Sequence, residues 1–226
     1  MGKWIYLSYP LSPDTPAYGG ADSLKVAYSK SINQGDSCNA SHWSLPNHLG
    51  THIDFPKHFF DDGKTAAGYS AEFWVFQAPH ILDISPIRPG TIIGSQYLDL
   101  ARISKDTDLL LLKTNFGNMR NKQIYWKENP GIKPDMASFL RKNLPNLRVL
   151  GFDFISLSSY TNRELGRSAH RLFLGHPDPI LPLEDVNLSL LDAGIRLNTV
   201  IISPLIIKNA DAAPCMVIGQ ISNGSR

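Results

Sequence analysis

The feature that most constrains this chain is the eleven-residue stretch His48-Leu49-Gly50-Thr51-His52-Ile53-Asp54-Phe55-Pro56-Lys57-His58. It holds three histidines and an aspartate. His48 and His52 have the spacing of one helix face, but Gly50 between them and Pro56 just beyond disfavour a helix. No glutamate adjoins His48, so the helical metalloprotease pattern is absent. As an extended segment the stretch reads differently. Positions 48, 52, 54 and 58 share one parity, and side chains of a strand alternate faces. The four polar groups then point one way, with Gly50 clearing space between them, while Leu49, Ile53 and Phe55 point to a core. A lone histidine here would read as a satisfied structural residue. Four ligand-type side chains on one face read as a metal site built from imidazole nitrogen and carboxylate oxygen.

The rest of the chain limits what such a site can serve. The 226 residues are 42% hydrophobic, enough to bury a substantial core. The formal charge is +2, from 22 basic and 20 acidic residues, and no Lys/Arg run supports a nucleic-acid partner. Cys38 and Cys215 make neither a disulfide framework nor a CxxC metal site. The first residues lack the apolar region of a signal peptide, and no apolar run approaches membrane-spanning length. The sequons at Asn39, Asn187 and Asn223 carry little weight without a secretory signal. A soluble, cytoplasmic protein is expected, with no nucleic acid and no membrane as partner.

Taken in order, residues 4–9 read as a strand, followed by a Pro/Gly-rich loop with Tyr18-Gly19-Gly20 at its tip. Tyr18 there can cover a ligand or be an ordinary loop aromatic. Residues 24–45 read as strands leading into the central stretch, 80–85 as another, and Leu109–Leu112 as a strand buried on both faces. Residues 116–133 read as loop, and 134–143 as a helix opened by Pro134. Val149–Phe154 reads as a buried strand ending in a polar loop with Ser156, Ser158, Ser159 and Thr161. Residues 169–175 read as a helix stopped by Gly175, and 187–193 as a short helix. Strands are expected at 200–202, 205–207 and 216–221. With no internal repeat and no linker, the expectation is one α/β domain over 1–226.

His170 and Glu184 lie far from the central stretch, and each alone would read as structural. The pattern His48-x-Gly50-Thr51-His52-x-Asp54-x-Pro56-x-His58, however, is similar to the signature of the putative cyclase family, which includes bacterial kynurenine formamidases and isatin hydrolases. Tyr9-Pro10-Leu11-Ser12-Pro13, Gly151-x-Asp153-x-x-Ser156, Ala169-His170-Arg171-Leu172-x-Leu174 and Pro204-Leu205-x-Ile207-Lys208-x-x-Asp211-x-x-Pro214 extend the resemblance over nearly the whole chain. The resemblance implies a swivelling β/β/α fold with a mixed sheet and few helices, a homodimer or larger assembly, and one or two divalent ions, zinc first and manganese second. It implies that His48, His52 and Asp54 bind one metal, that Asp54 reaches a second completed by His170 and Glu184, and that Glu184 also bridges. It makes His58 the general acid/base. The family often has Trp where Tyr18 stands, packed on an aromatic substrate. The stretch from His170 to Glu184 looks longer than usual, which leaves Asp178 and Asp185 as alternatives to Glu184.

The charge balance fits hydrolysis. Two divalent ions against Asp54 and Glu184 leave net positive charge, and a bound water then ionises with a pKa of roughly 7. The resulting metal-bound hydroxide would attack an amide or formamide carbonyl, with His58 protonating the leaving nitrogen. No GxSxG elbow supports a serine mechanism. The expected function is metal-dependent cleavage of a C–N bond in a small aromatic substrate such as N-formylkynurenine. The alternatives are isatin-type lactam hydrolysis and a catalytically silent metal-binding protein, against which His58 argues.

Overall fold

The computed structural model describes residues 2–175, 177–191 and 195–223. Its strands are β1 (Lys3–Tyr6), β2 (Lys25–Lys30), β3 (Ala40–Ser44), β4 (His52–Asp54), β5 (Val75–Phe76), β6 (Pro79–Asp83), β7 (Ile92–Ile93), β8 (Leu109–Lys113), β9 (Gly131–Ile132), β10 (Val149–Phe152), β11 (Leu181–Glu184), β12 (Ile195–Pro204) and β13 (Ala212–Asn223). Among the described residues there are three α-helices: α1 (Ile124–Lys127), α2 (Met136–Asn143) and α3 (Arg163–Leu174).

Nine strands form one mixed sheet in the order β5-β12-β13-β4-β11-β10-β8-β6, with β1 also on β13. The β6-β8-β10-β11 half is parallel, and β4 joins it antiparallel to the β12-β13 half. β12 also lies against β6, so the sheet curls toward a barrel. The mixed sheet and small helix count match the α/β expectation. β8 reads Leu-Leu-Leu-Leu-Lys and is buried throughout. Leu110 and Leu112 enter the core beneath α2 and α3, with Leu150, Phe152 and Phe173. Leu109 and Leu111 enter the core on the other face, with Ile53, Phe55 and Leu183. A strand covered on both faces needs no polar alternation, which is why this run is continuously apolar.

α3 begins six residues earlier than the sequence reading placed it. Its buried positions are Gly166, Ala169, His170, Phe173 and Leu174, a stripe at helical spacing that explains the full span. Residues 116–133 contain α1 and β9 and are not all loop. Residues 205–207 do not continue as a strand after Pro204, and 187–191 are not helical; residues 192–194 of that expected helix lie outside the described residues.

The largest departure concerns the central stretch. Only His52–Asp54 is strand. Gly50 has φ +66°, and a Cβ there would meet Leu11 Cδ2 at 2.5 Å, so glycine permits a tight turn. Residues 56–58 form a single 3-10 turn with Pro56 at its start. The pleat therefore places His52 and Asp54 on one face with Ile53 opposite, while a turn brings in His48 and the 3-10 segment brings in His58.

Candidate metal centre

His52 lies opposite Glu184 in the β4–β11 register, so their side chains share a face of the sheet. α3 carries His170 over that face. Gly166 allows this close approach, since a Cβ there would lie 2.1 Å from Ser158 Oγ. The result is a buried cluster: Asp54, His52, Glu184 and His170 are 1%, 2%, 3% and 4% exposed. His170 Nε2 lies 3.2 Å from Asp54 Oδ2 and 3.7 Å from Glu184 Oε1. His52 Nε2 lies 3.3 Å from Glu184 Oε2 and 3.6 Å from Asp54 Oδ1. His48 Nδ1 lies 3.0 Å from Asp54 Oδ1. Five of the residues expected at the metal, His48, His52, Asp54, His170 and Glu184, are thus brought together.

Proton placement tests whether these residues fit a metal. His52 Nδ1 is 2.8 Å from the Gly50 carbonyl, and His170 Nδ1 is 2.9 Å from the Gly166 carbonyl. A carbonyl only accepts, so each Nδ1 carries hydrogen and the neutral ring presents a bare Nε2. Both bare nitrogens face carboxylates. His52 Nε2 is buried with no hydrogen-bond partner, 3.6 Å from Asp54 Oδ1. Lone pairs and carboxylates aimed at each other in a buried site require a cation, either protons on the rings or a metal. The donor set of imidazole nitrogen and carboxylate oxygen fits a divalent ion. Two overlapping triads, His48–Asp54–His58 and Asp54–His170–Glu184, each bring ligand atoms within 4.8 Å of one another. Asp54 belongs to both.

The same demand for positive charge appears in the titration behaviour of the cluster's own side chains. Burial pulls His170 down, but Asp54 and Glu184 outweigh it and hold the imidazole up at about 10. Burial likewise opposes His48, which Asp54 and Asp211 hold at about 10. Burial pushes the Asp54 carboxyl up, and the surrounding histidines reverse this and hold it well below its usual range. His58 differs. Burial lowers it, and the neighbouring His48 and His170 lower it further against the opposing pull of Asp54 and Asp211. It is the imidazole of the group suited to exchange a proton rather than retain one.

Asp211 is the residue whose role the sequence left unread. One carboxylate oxygen sits 2.9 Å from His48 Nε2 and 3.0 Å from His58 Nδ1, and the other accepts from Asn47 Nδ2 at 2.8 Å. Its contact with His58 spans 153 positions in sequence, so no local spacing could reveal it. Glu184 is held by the Leu157 N–H at 2.7 Å and the Ser156 hydroxyl at 3.4 Å. The polar serine loop after β10 thus helps to orient a carboxylate.

The alternatives to Glu184 are placed elsewhere. Asp178 is exposed. Asp185 is buried but faces the other way, at φ +52°. It receives a two-pronged contact from Arg120 at 2.8–3.0 Å and a hydrogen bond from Tyr125. Its carbonyl accepts from the Thr51 hydroxyl at 2.6 Å, tying β11 to the turn before β4. This polar anchor fixes the backbone on both sides of the cluster. Removing Arg120 alone would leave a buried carboxylate uncompensated.

A cleft of ≈ 290 Å³ opens onto the cluster. His48, His52, His58, His170 and Glu184 line its floor, and Tyr18, Phe59, Arg163 and Arg167 line its walls. Phe59 stacks on His170, with centroids 5.2 Å apart. Phe55 is fully buried in the core, so it forms no wall of the cleft. Tyr18 packs edge-on against Tyr160 at 5.6 Å. Arg163 and Arg167 were missed in sequence because the helix was started too late; begun at 163, they share the His170 face.

Comparison with known proteins shows the family. The family model described as Putative cyclase matches residues 5–159. A kynurenine formamidase of Bacillus anthracis is 30% identical over 219 residues, covering 96% of both chains. A kynurenine formamidase of Bacillus mycoides (strain KBAB4) is 29% identical over 217 residues, with 96% of both chains covered. Isatin hydrolase A from Labrenzia aggregata, solved with benzyl benzoate, superposes with a TM-score of 0.78 at 21% identity, covering 98% of this chain and 94% of that one. With the family model spanning more than half its length, the chain belongs to the putative cyclase family of enzymes.

Proposed function

We propose that this protein is a metal-dependent hydrolase that cleaves the C–N bond of a small aromatic amide or formamide, with N-formylkynurenine the first candidate. The observation that carries the reading is the buried cluster in which the Nε2 atoms of His52 and His170 face Asp54 and Glu184. His48, His52 and Asp54 would hold one ion, and Asp54, His170 and Glu184 a second. Zinc suits these ligands, with manganese the alternative. When bound, the metal polarises a carbonyl and acidifies water.

The chain's own groups do the rest. Asp211 accepts the Nδ1–H of His58 and so fixes both ring orientation and tautomer. Nε2 is left to take a proton and return it to the nitrogen that departs as the C–N bond breaks. Phe59 and Tyr18 confine an aromatic ring between walls of the cleft. The two kynurenine formamidases, similar along nearly the whole chain, support the formamide class. Lactam hydrolysis is the second reading, favoured by the likeness of fold to isatin hydrolase A.

Zinc- and manganese-loaded protein should turn over N-formylkynurenine with higher kcat/KM than isatin or aliphatic amides. A preference for isatin of roughly a hundredfold or more, about 2.7 kcal/mol in transition-state binding, would end the formamidase reading and leave the metal hydrolase. No turnover of any amide, formamide or lactam by loaded protein would favour a silent metal binder.

The reading includes a cytoplasmic homodimer. Cys38 and Cys215 are both unpaired, as suits a reducing compartment, and no described helix is long and apolar enough to cross a membrane. The two-stranded β2–β3 hairpin exposes Tyr28 at 81% and Trp43 at 72%, and such a ribbon is marginally stable alone. Light scattering should give at least twice the 25.1 kDa chain mass. A stable, active monomer would contradict this.

A further inference from the structure

One wall of the cleft differs from the rest. α3 presents Arg163, Arg167 and His170 along one stripe, at spacings of four and three. His170 faces the carboxylates of the cluster. Arg167 and Arg163 lie nearer the helix start, roughly 4.5 and 10.5 Å before His170 along the axis at about 1.5 Å per residue. The guanidinium of Arg163 lies over the Tyr160 ring, 4.0 Å from its centroid, and makes no ion pair among the described residues. That stacking pre-orients a planar fork of donors whose edge matches a carboxylate. Arg167 already shares its charge with Glu164.

Tyr18 completes the wall. Gly19 and Gly20, at φ +71° and +69°, turn its loop against Tyr160 and Trp126. Its hydroxyl is buried with no hydrogen-bond partner. Burial pushes the phenol up to about 12, Arg163 and Arg167 pull it down, and Glu184 adds to the rise. The group therefore stays an O–H donor that lacks an acceptor. An unpaired buried hydroxyl is unfavourable until a ligand supplies one.

We propose that this wall is a carboxylate subsite, with Arg163 as the anchor, the Tyr18 hydroxyl as a second donor and Arg167 as supporting charge. The substrate is then an aryl amide or formamide that carries a carboxylate on a side chain remote from the scissile bond, not a neutral lactam. The opposed charges of the cleft orient it: the carboxylate goes to the arginines and the scissile carbonyl goes to the cluster. This inference rests on the hydrolase reading above and narrows its substrate class.

The test compares N-formylkynurenine with N-formylkynuramine, which differs only in lacking the carboxylate. Zinc-loaded wild type should favour the acid in kcat/KM by roughly tenfold or more, the ratio for one charge-assisted pair. Arg163→Met should bring that ratio toward one, through KM rather than kcat. Arg163→Glu should reverse it, and an acidic residue suits the first turn of a helix, so the variant should fold. Arg163→Lys, which keeps charge without the fork, should recover part of the preference. Added salt should shrink the wild-type ratio, because Arg163 is exposed. A ratio unchanged in both Arg163→Met and Arg163→Glu overturns the subsite. Calorimetric titration of kynurenine against kynuramine reads the subsite without turnover. Tighter binding of the acid, lost in Arg163→Met, with no hydrolysis of any formamide would sink the hydrolase reading and keep the subsite. Hydrolysis with equal binding of the two would do the reverse.

Discussion

Chelator-treated protein should regain several degrees of thermal stability when zinc or manganese is returned to it. The cluster buries Asp54, Glu184 and two imidazoles whose Nε2 atoms face those carboxylates. A cation removes that conflict in the native state, and the site does not exist in the unfolded chain. With free metal near a hundred times its dissociation constant, the gain is about 2.7 kcal/mol. For a chain of this size that corresponds to an unfolding midpoint higher by roughly 5–10 °C. Asp54→Asn should abolish the shift, because Asp54 belongs to both triads. It should also lower kcat by roughly 10³ or more, since several kcal/mol of charge stabilisation depend on the ion. Elemental analysis gives the independent readout. Reloaded wild type that carries no divalent metal and shows no shift in midpoint would rule out the metal centre.

His58→Ala should keep most of the metal and lose most of the turnover, by roughly 10² or more in kcat. The reason is geometric. His58 stands on a 3-10 turn beyond β4, half-buried, its Nδ1 held by Asp211 and its ring 4.3 Å from that of His48. Its lowered pKa separates it from His48 and His170, which the carboxylates hold high. The structure also places it in a triad with His48 and Asp54, a position from which it could serve as a ligand. Metal content decides between the roles. If the variant loses metal in proportion to activity, His58 is a ligand and the proton transfer belongs to another group.

Much of the architecture was legible in the chain because it depends on local pattern. The apolar run Leu109–Leu112 announced a strand buried on both faces, and the two cores on either side of β8 supply the reason. Pro134 marked the approach to α2, and Gly175 marked the end of α3. The central motif announced a gathering of ligand-type side chains. Its residues do meet, though by another route than the one the parity suggested. Period two governs only His52 and Asp54. His48 and His58 arrive through a turn at Gly50 and a 3-10 segment at Pro56. A parity count cannot see this, since a turn at positive φ and a proline-led 3-10 turn break the alternation that the count assumes.

What the sequence determined by itself was the set of ligand-type residues around position 52 and the alternation of apolar runs that builds the sheet. What only the tertiary structure decided was every relation that crosses the fold. Glu184 stands opposite His52 because β4 pairs antiparallel with β11, and this register separates Glu184 from Asp185, its neighbour in sequence. Asp185 turns back toward Arg120 and Tyr125 while Glu184 faces the cluster. Asp211 reaches His58 because β13 pairs with β4. Arg163 and Arg167 face the cleft because Gly166 lets α3 press against the serine loop. Local pattern records which face a side chain takes on its own element. Which elements then meet is set by pairing and packing over more than a hundred residues, and that information resides in no single stretch of the chain.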